Sequence, residues 1–164
     1  MGVEIERKFR VADGWRERAA ALGVEGTRIR QGYLSVDPAR TVRVRVAGGE
    51  AWFTVKGRTS GATRAEYEFA IAVAEANEML DGLCLRPIID KTRTRIPAGP
   101  NLWWEVDVFA GDNAGLVVAE IELESPEQAF ARPAWLGREV TDDPRYFNAN
   151  LLAHPYSKWA AESM

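Results

Sequence analysis

The chain has 164 residues, 46% of them hydrophobic, and a formal net charge of −3 at pH 7. That is enough apolar material for a single domain over residues 1–164, and the charge argues against a nucleic-acid partner, which would call for a basic surface. One cysteine, Cys84, excludes an internal disulfide; one histidine, His154, excludes a zinc site built from several His or Cys ligands and leaves little for Ser-His-Asp or Cys-His catalysis.

Period-two alternation, the mark of β-strands, dominates the chain. Residues 3–11 alternate, with Val3, Ile5 and Phe9 on one face and Glu4, Glu6, Lys8 and Arg10 on the other. A helix is predicted over 13–22, ending at Gly23, and a second strand over 27–36. Residues 41–47 set Val42, Val44 and Val46 against Arg43 and Arg45, and Gly48-Gly49 is a two-residue hairpin signal. The return strand, 51–57, carries Thr54 and Lys56 on one face. After a loop at 57–61, residues 64–73 oppose Glu66 and Glu68 to Tyr67, Phe69 and Ile71.

Apolar spacing suits a helix over 74–83. Alternation resumes at 90–96 with Lys91, Arg93 and Arg95, and residues 97–101 read as a turn. The strand at 102–109 carries Glu105 and Asp107. A turn at 111–115 leads to a strand at 116–123 with Glu120 and Glu122, and Glu124 keeps the same parity. Ser125-Pro126-Glu127-Gln128 is a good helix opening, so 125–130 is predicted helical, as is 144–153. No apolar h-region precedes Glu4, and no apolar stretch is long enough to cross a bilayer. A cytoplasmic protein without a membrane partner is expected.

A charged strand face is ordinarily the solvent side of an antiparallel sheet. Here strand after strand offers little but full charges on that face, with both signs recurring in blocks, and there are too few helices to bury two sheets. A closed barrel accommodates this: apolar faces turn outward beneath helices, and charged faces line a tunnel. Buried charge is costly unless paired or bound to ions. Arginine and lysine grip phosphoryl oxygens, and clustered carboxylates hold hard divalent cations. The combination suits a metal-complexed polyphosphate, and with no Gly-x-x-x-x-Gly-Lys loop in the sequence it is not P-loop chemistry.

In the opening Glu4-Ile5-Glu6-Arg7-Lys8, and then in Arg43-x-Arg45, Lys56, Glu66-x-Glu68, Lys91-x-Arg93, Glu105-x-Asp107 and Glu120-x-Glu122, the chain resembles the CYTH proteins, or triphosphate tunnel metalloenzymes, over roughly residues 3–150. The resemblance implies an α+β fold: an eight-stranded antiparallel β-barrel with a charged lumen and flanking helices. The run Arg30-Gln31-Gly32-Tyr33-Leu34, with residues 104–111 and Pro144-Arg145-Tyr146, is most similar to compact bacterial members that hydrolyse inorganic tripolyphosphate. By resemblance Mg²⁺ or Mn²⁺ is held by Glu4, Glu6, Glu120 and Glu122, with Asp107 and Glu105 as further lumen acids supporting a second ion. Glu66 and Glu68 do the same or orient the basic residues. Lys8, Arg43, Arg45, Lys56, Lys91 and Arg93 bind phosphates; Lys8 and Tyr33 lie at the reaction centre. Arg10, Arg58, Arg95 and Glu124 lie near strand ends and suit a solvated rim equally well.

The chemistry expected is in-line attack of water on a terminal phosphorus. Class IV adenylyl cyclase, nucleoside or thiamine triphosphatase, and a non-catalytic polyphosphate binder are the rivals. Trp52, Trp103 and Trp104 are the rings that could stack on a base. Either a monomer or a homodimer is compatible with the sequence. Without ligand the crowded basic residues are expected to repel one another, so that Arg45→Ala or Lys56→Ala should cost little stability.

Overall fold

The computed structural model describes residues 2–159. Its strands are β1 (Gly2–Val11), β2 (Thr27–Ser35), β3 (Thr41–Ala47), β4 (Glu50–Lys56), β5 (Thr63–Ile71), β6 (Ile89–Gly99), β7 (Leu102–Phe109), β8 (Val117–Glu122) and β9 (Leu136–Glu139). Helix α1 (Trp15–Leu22) follows β1 and α2 (Val73–Gly82) follows β5. The sheet runs β5-β4-β3-β2-β6-β7-β8-β1-β9, and a β5–β1 pairing closes its first eight strands into a barrel. All pairings are antiparallel. One edge of β1 is shared: Gly2–Ile5 pair with β5, and Phe9 and Val11 pair with β9.

Directly opposed residues of an antiparallel pair point to the same side. Glu6 opposes Glu122 and Lys8 opposes Glu120. Gln31 opposes Arg45, Lys56 opposes Glu66, and Arg93 opposes Asp107. The charged faces therefore converge inside the barrel, and the apolar faces point out. Ala76 and Leu80 of α2, with Cys84 just after it, pack on Val44 and Ala51 of the barrel. Here β2 passes so close that a Cβ on Gly32 would stand 2.7 Å from the Cβ of Cys84. On the α1 side Phe9, Ile96, Trp104, Val106, Ala119 and Ile121 pack with Trp15, Ala19 and Trp135. Each large apolar side chain so buried contributes about 1.5–3 kcal/mol. A third cluster joins Ile89, Phe109 and Val118, at one end of the barrel, to Tyr146, Leu151 and Trp159.

Four expectations need correction. Residues 125–130 form a single turn, with Gln128 N–H donating to the Ser125 carbonyl at 3.2 Å. The capping signal is real, but Phe130 is drawn edge-on against Trp104, 5.6 Å between centroids, and no helix follows. Residues 144–153 form short 3₁₀ turns (Pro144–Tyr146 and Asn148–Leu151) rather than one helix. Strand β6 runs through Pro97 to Gly99, because Asn101 at φ 55° makes the reversal in fewer residues than expected. Strand β9 was not foreseen: Leu136-Gly137-Arg138-Glu139 has no alternation, and Gly137 is needed because a Cβ there would stand 2.9 Å from the Arg10 carbonyl oxygen.

Candidate active site

A cavity of about 520 Å³ occupies the barrel, within the size range of small-molecule sites. Of the residues singled out from sequence, Glu4, Glu6, Lys8, Tyr33, Arg43, Arg45, Lys56, Lys91, Arg93, Glu120 and Glu122 line it, with Glu66, Glu68 and Glu105 and, at the rim, Arg58. Asp107 does not: it is 1% exposed, beneath Lys91 and Arg93. Arg10, Arg95 and Glu124 also lie outside the cavity lining.

The lumen is an interleaved set of ion pairs rather than a field of repelling cations. Lys56 Nζ lies 2.7 Å from Glu4 and 3.4 Å from Glu66. Lys8 lies 3.4 Å from Glu120, and Arg43 3.6 Å from Glu68. Asp107 receives Lys91 at 2.7 Å and Arg93 through a bidentate fork at 2.7 and 2.8 Å. Arg45 has no such partner among the described residues: its Nε and Nη2 donate to Gln31 Oε1 at 2.9 and 2.8 Å. Lys56, paired with Glu4 and Glu66, departs from the expectation of a self-repelling basic set; Arg45 is the member to which that expectation still applies.

Proton affinities follow this pairing. Burial pushes Glu120 up, but Lys8, Arg93 and Lys91 outweigh it and hold the carboxyl well below its ordinary range. Burial also acts on Glu4, which Lys56 brings down. Glu6 moves well above the usual carboxylate range, through burial and then the charges of Glu120 and Glu4. Glu122 rises to about 7, through burial and then Glu4, Glu66 and Glu105. Burial pulls Lys91 down to about 7, with Arg93 and Arg45 adding to it against Asp107.

Among the described residues, no three His, Cys, Asp or Glu side chains converge tightly enough to hold an ion as they stand. The donor chemistry nonetheless fits a hard divalent cation. It is all carboxylate oxygen, and Glu6 and Glu122, directly opposed, lack a cationic partner within 4.0 Å among the described residues.

Sequence reasoning missed the contribution of the segment after β9. Lys8 Nζ donates to the Tyr146 carbonyl at 3.0 Å, and Lys8 N–H donates to Thr141 Oγ1 at 3.0 Å. Asn148 Oδ1 accepts from Gln31 Nε2 and from Lys91 Nζ, both at 3.3 Å. Thr141, Phe147 and Asn148 all line the cavity. The Pro144-Arg145-Tyr146 motif was the available signal, hidden by reading the segment as a flanking helix. Trp52, Trp103 and Trp104 line no part of the cavity; Trp104 is buried in the outer core, and Trp103 lies beneath the Arg95 guanidinium.

The CYTH domain model matches residues 2–156. The chain is 47% identical over 160 residues to the inorganic triphosphatase of Acetivibrio thermocellus, covering 97% of this chain and 99% of that one. It is 39% identical over 157 residues to the inorganic triphosphatase of Nitrosomonas europaea, covering 90% and 95%. The crystal structure of the inorganic triphosphatase NE1496 superposes with a TM-score of 0.61 at 37% identity, covering 91% of this chain and 97% of that chain. A barrel whose eight strands turn their charges inward, matched by this family nearly from end to end, makes the chain a member of the CYTH domain family.

Proposed function

We propose that the protein hydrolyses inorganic triphosphate to pyrophosphate and phosphate inside the barrel, with Mg²⁺ or Mn²⁺ as cofactor. The observation that carries this is one cavity lined by eight cationic side chains and by carboxylates of which two, Glu6 and Glu122, lack a cationic partner within 4.0 Å among the described residues. The two inorganic triphosphatase relatives support it. Glu4, Glu6, Glu120 and Glu122 would hold the cation, which when bound supplies charge neutralisation and a more acidic attacking water.

The remaining work falls to the chain's own groups. Lys8, Arg43, Arg45, Lys56, Lys91 and Arg93 bind the triphosphate and stabilise charge on the transferring and leaving groups. Tyr33 offers a hydroxyl 3.3 Å from Gln31 Nε2 on the cavity wall, placed to orient the terminal phosphate or the water. Asp107 orients Lys91 and Arg93 rather than meeting the ion. The adenylyl cyclase reading loses support because no tryptophan lines the cavity; the aromatics that do are Tyr33 and Phe147, and Phe147 faces the Lys8 ammonium at 5.9 Å. The reading carries with it one domain over residues 1–164, acting in the cytoplasm on a small anion. No helix among the described residues is long and apolar enough to cross a membrane.

A panel of tripolyphosphate, ATP, GTP and thiamine triphosphate, assayed with Mg²⁺, with Mn²⁺ and with EDTA, tests this. Tripolyphosphate should show the highest kcat/KM, and EDTA should stop turnover. Full activity after metal stripping, or cyclic AMP as the main product from ATP, overturns it.

A further inference from the structure

Of the five arginines that line the cavity, Arg43, Arg45 and Arg93 are held in three different ways. Arg93 is forked onto the buried Asp107, a carboxylate it shares with Lys91. Arg43 lies 3.6 Å from Glu68, which is 43% exposed, and its own Nε is buried with no hydrogen-bond partner. Arg45 meets no carboxylate within 4.0 Å among the described residues; its Nε and Nη2 both donate to the amide oxygen of Gln31, the residue opposite it on β2.

Gln31 is fully buried. Because arginine has only donors, Oε1 must face Arg45, and the amide nitrogen then faces Tyr33 Oη and Asn148 Oδ1, both at 3.3 Å. Every polar atom of the Gln31 side chain is thereby used, and both of its ends meet residues that line the cavity. A buried guanidinium is ordinarily matched by a carboxylate, since an uncompensated charge costs several kcal/mol. Glutamate at this position would provide that match with the same length of side chain.

Resting on the triphosphatase reading above, we propose that Gln31 is a positioning residue that fixes Arg45 through a neutral carbonyl, leaving its guanidinium charge free for a phosphoryl oxygen of the substrate. Its role is set by what it withholds: it constrains the fork as a carboxylate would, without cancelling the charge. Burial, with Arg43 and Arg93 nearby, already depresses Arg45 to about 9, as suits a cation whose counter-charge is to arrive with the ligand.

Two substitutions separate this role from a structural one. Gln31→Glu should raise the ligand-free Tm, because it pairs Arg45, while weakening tripolyphosphate by roughly tenfold to a hundredfold, the span of a charge-assisted hydrogen bond. Binding is read by calorimetry with tripolyphosphate in EDTA and, independently, as KM with Mg²⁺. Gln31→Met keeps the volume and removes the acceptor; it should weaken binding in the wild-type background and leave affinity nearly unchanged in Arg45→Ala. A fall in Tm together with a fall in affinity for Gln31→Glu, an unchanged affinity, or an equal Gln31→Met effect with and without Arg45 overturns the assignment. So does failure of both variants to fold, which would make Gln31 structural. If the wild type binds tripolyphosphate but does not hydrolyse it, the triphosphatase reading fails, and the calorimetric arm still decides the role of Gln31.

Discussion

Glu6 and Glu122 face each other directly across β1 and β8, and neither has a cation of the protein within 4.0 Å among the described residues. Both carboxyls are pushed up, Glu6 by burial and then by Glu120 and Glu4, and Glu122 to about 7 by burial and then by Glu4, Glu66 and Glu105. A folded-state pKa above the unfolded value means that the neutral carboxyl's contribution is complete below about 4.5 and lost as pH rises through about 7. Glutamine does not charge. The metal-free Tm of Glu122→Gln should thus match wild type near pH 5 and exceed it by pH 8, and added Mg²⁺ should reverse the order at pH 8. Parallel melts across that range check this; a difference that shrinks with rising pH contradicts it.

Lys56 and Arg45 should part company in stability while agreeing in activity. Lys56→Ala strands the buried Glu4 carboxylate, 2.7 Å away, without its counter-charge, a loss of about 3 kcal/mol or more. Arg45→Ala removes a cation with no carboxylate partner and should cost less than about 1 kcal/mol, the worth of a typical hydrogen bond. Both should lower kcat/KM for tripolyphosphate by roughly a hundredfold to a thousandfold. Urea unfolding of the two variants, beside phosphate-release rates, provides the comparison, and equal stability losses would count against the pairing.

Asp107→Asn distinguishes an anchor from a metal ligand. The buried carboxylate holds Lys91 and Arg93 together, so its neutralisation should destabilise by about 3–5 kcal/mol and raise KM. The Mn²⁺ concentration giving half-maximal activity should hold its place. A large rise in that concentration with little change in stability would return Asp107 to the metal.

Trp103→Ala should leave the ratio of kcat/KM for tripolyphosphate to that for ATP unchanged, because the ring lies outside the cavity lining, under Arg95 at 4.5 Å. A shift in the ratio would mean that a base reaches this ring.

The barrel was legible because its strands carry an uncommon signal: full charges alternating with aliphatic residues, repeated with both signs. That pattern places Glu4, Glu6 and Lys8 inside as surely as it places Ile5 and Phe9 outside. Segments whose conformation is set by distant partners were illegible. Phe130 docks on Phe9 and Trp104 instead of propagating a helix, and β9 exists because Gly137 lets its backbone lie against Arg10. Pairing within the lumen was equally hidden. Parity says that Asp107 and Glu120 both point inward, but only register and depth separate a carboxylate committed to Lys91 and Arg93 from one that lines the cavity. Asn148, and the contacts of Gln31 beyond its place in the Arg30–Leu34 run, were not readable because a single amide carries no periodic signal.

The shared edge of β1 also bears on how the protein is made. Glu6 and Lys8 are synthesised before the rest of the barrel, yet the strand that opposes them, β8, is among the last of its strands to emerge. Until then β1 can pair only with β5, through Gly2–Ile5; its β8 edge stays unpaired, and the barrel stays an open sheet. Pairings this distant in sequence fold slowly and leave partly assembled chains prone to association. Closure is therefore expected only after β8 has left the ribosome, and the wall of the cavity formed by Glu6, Lys8, Glu120 and Glu122 comes into being in that same step.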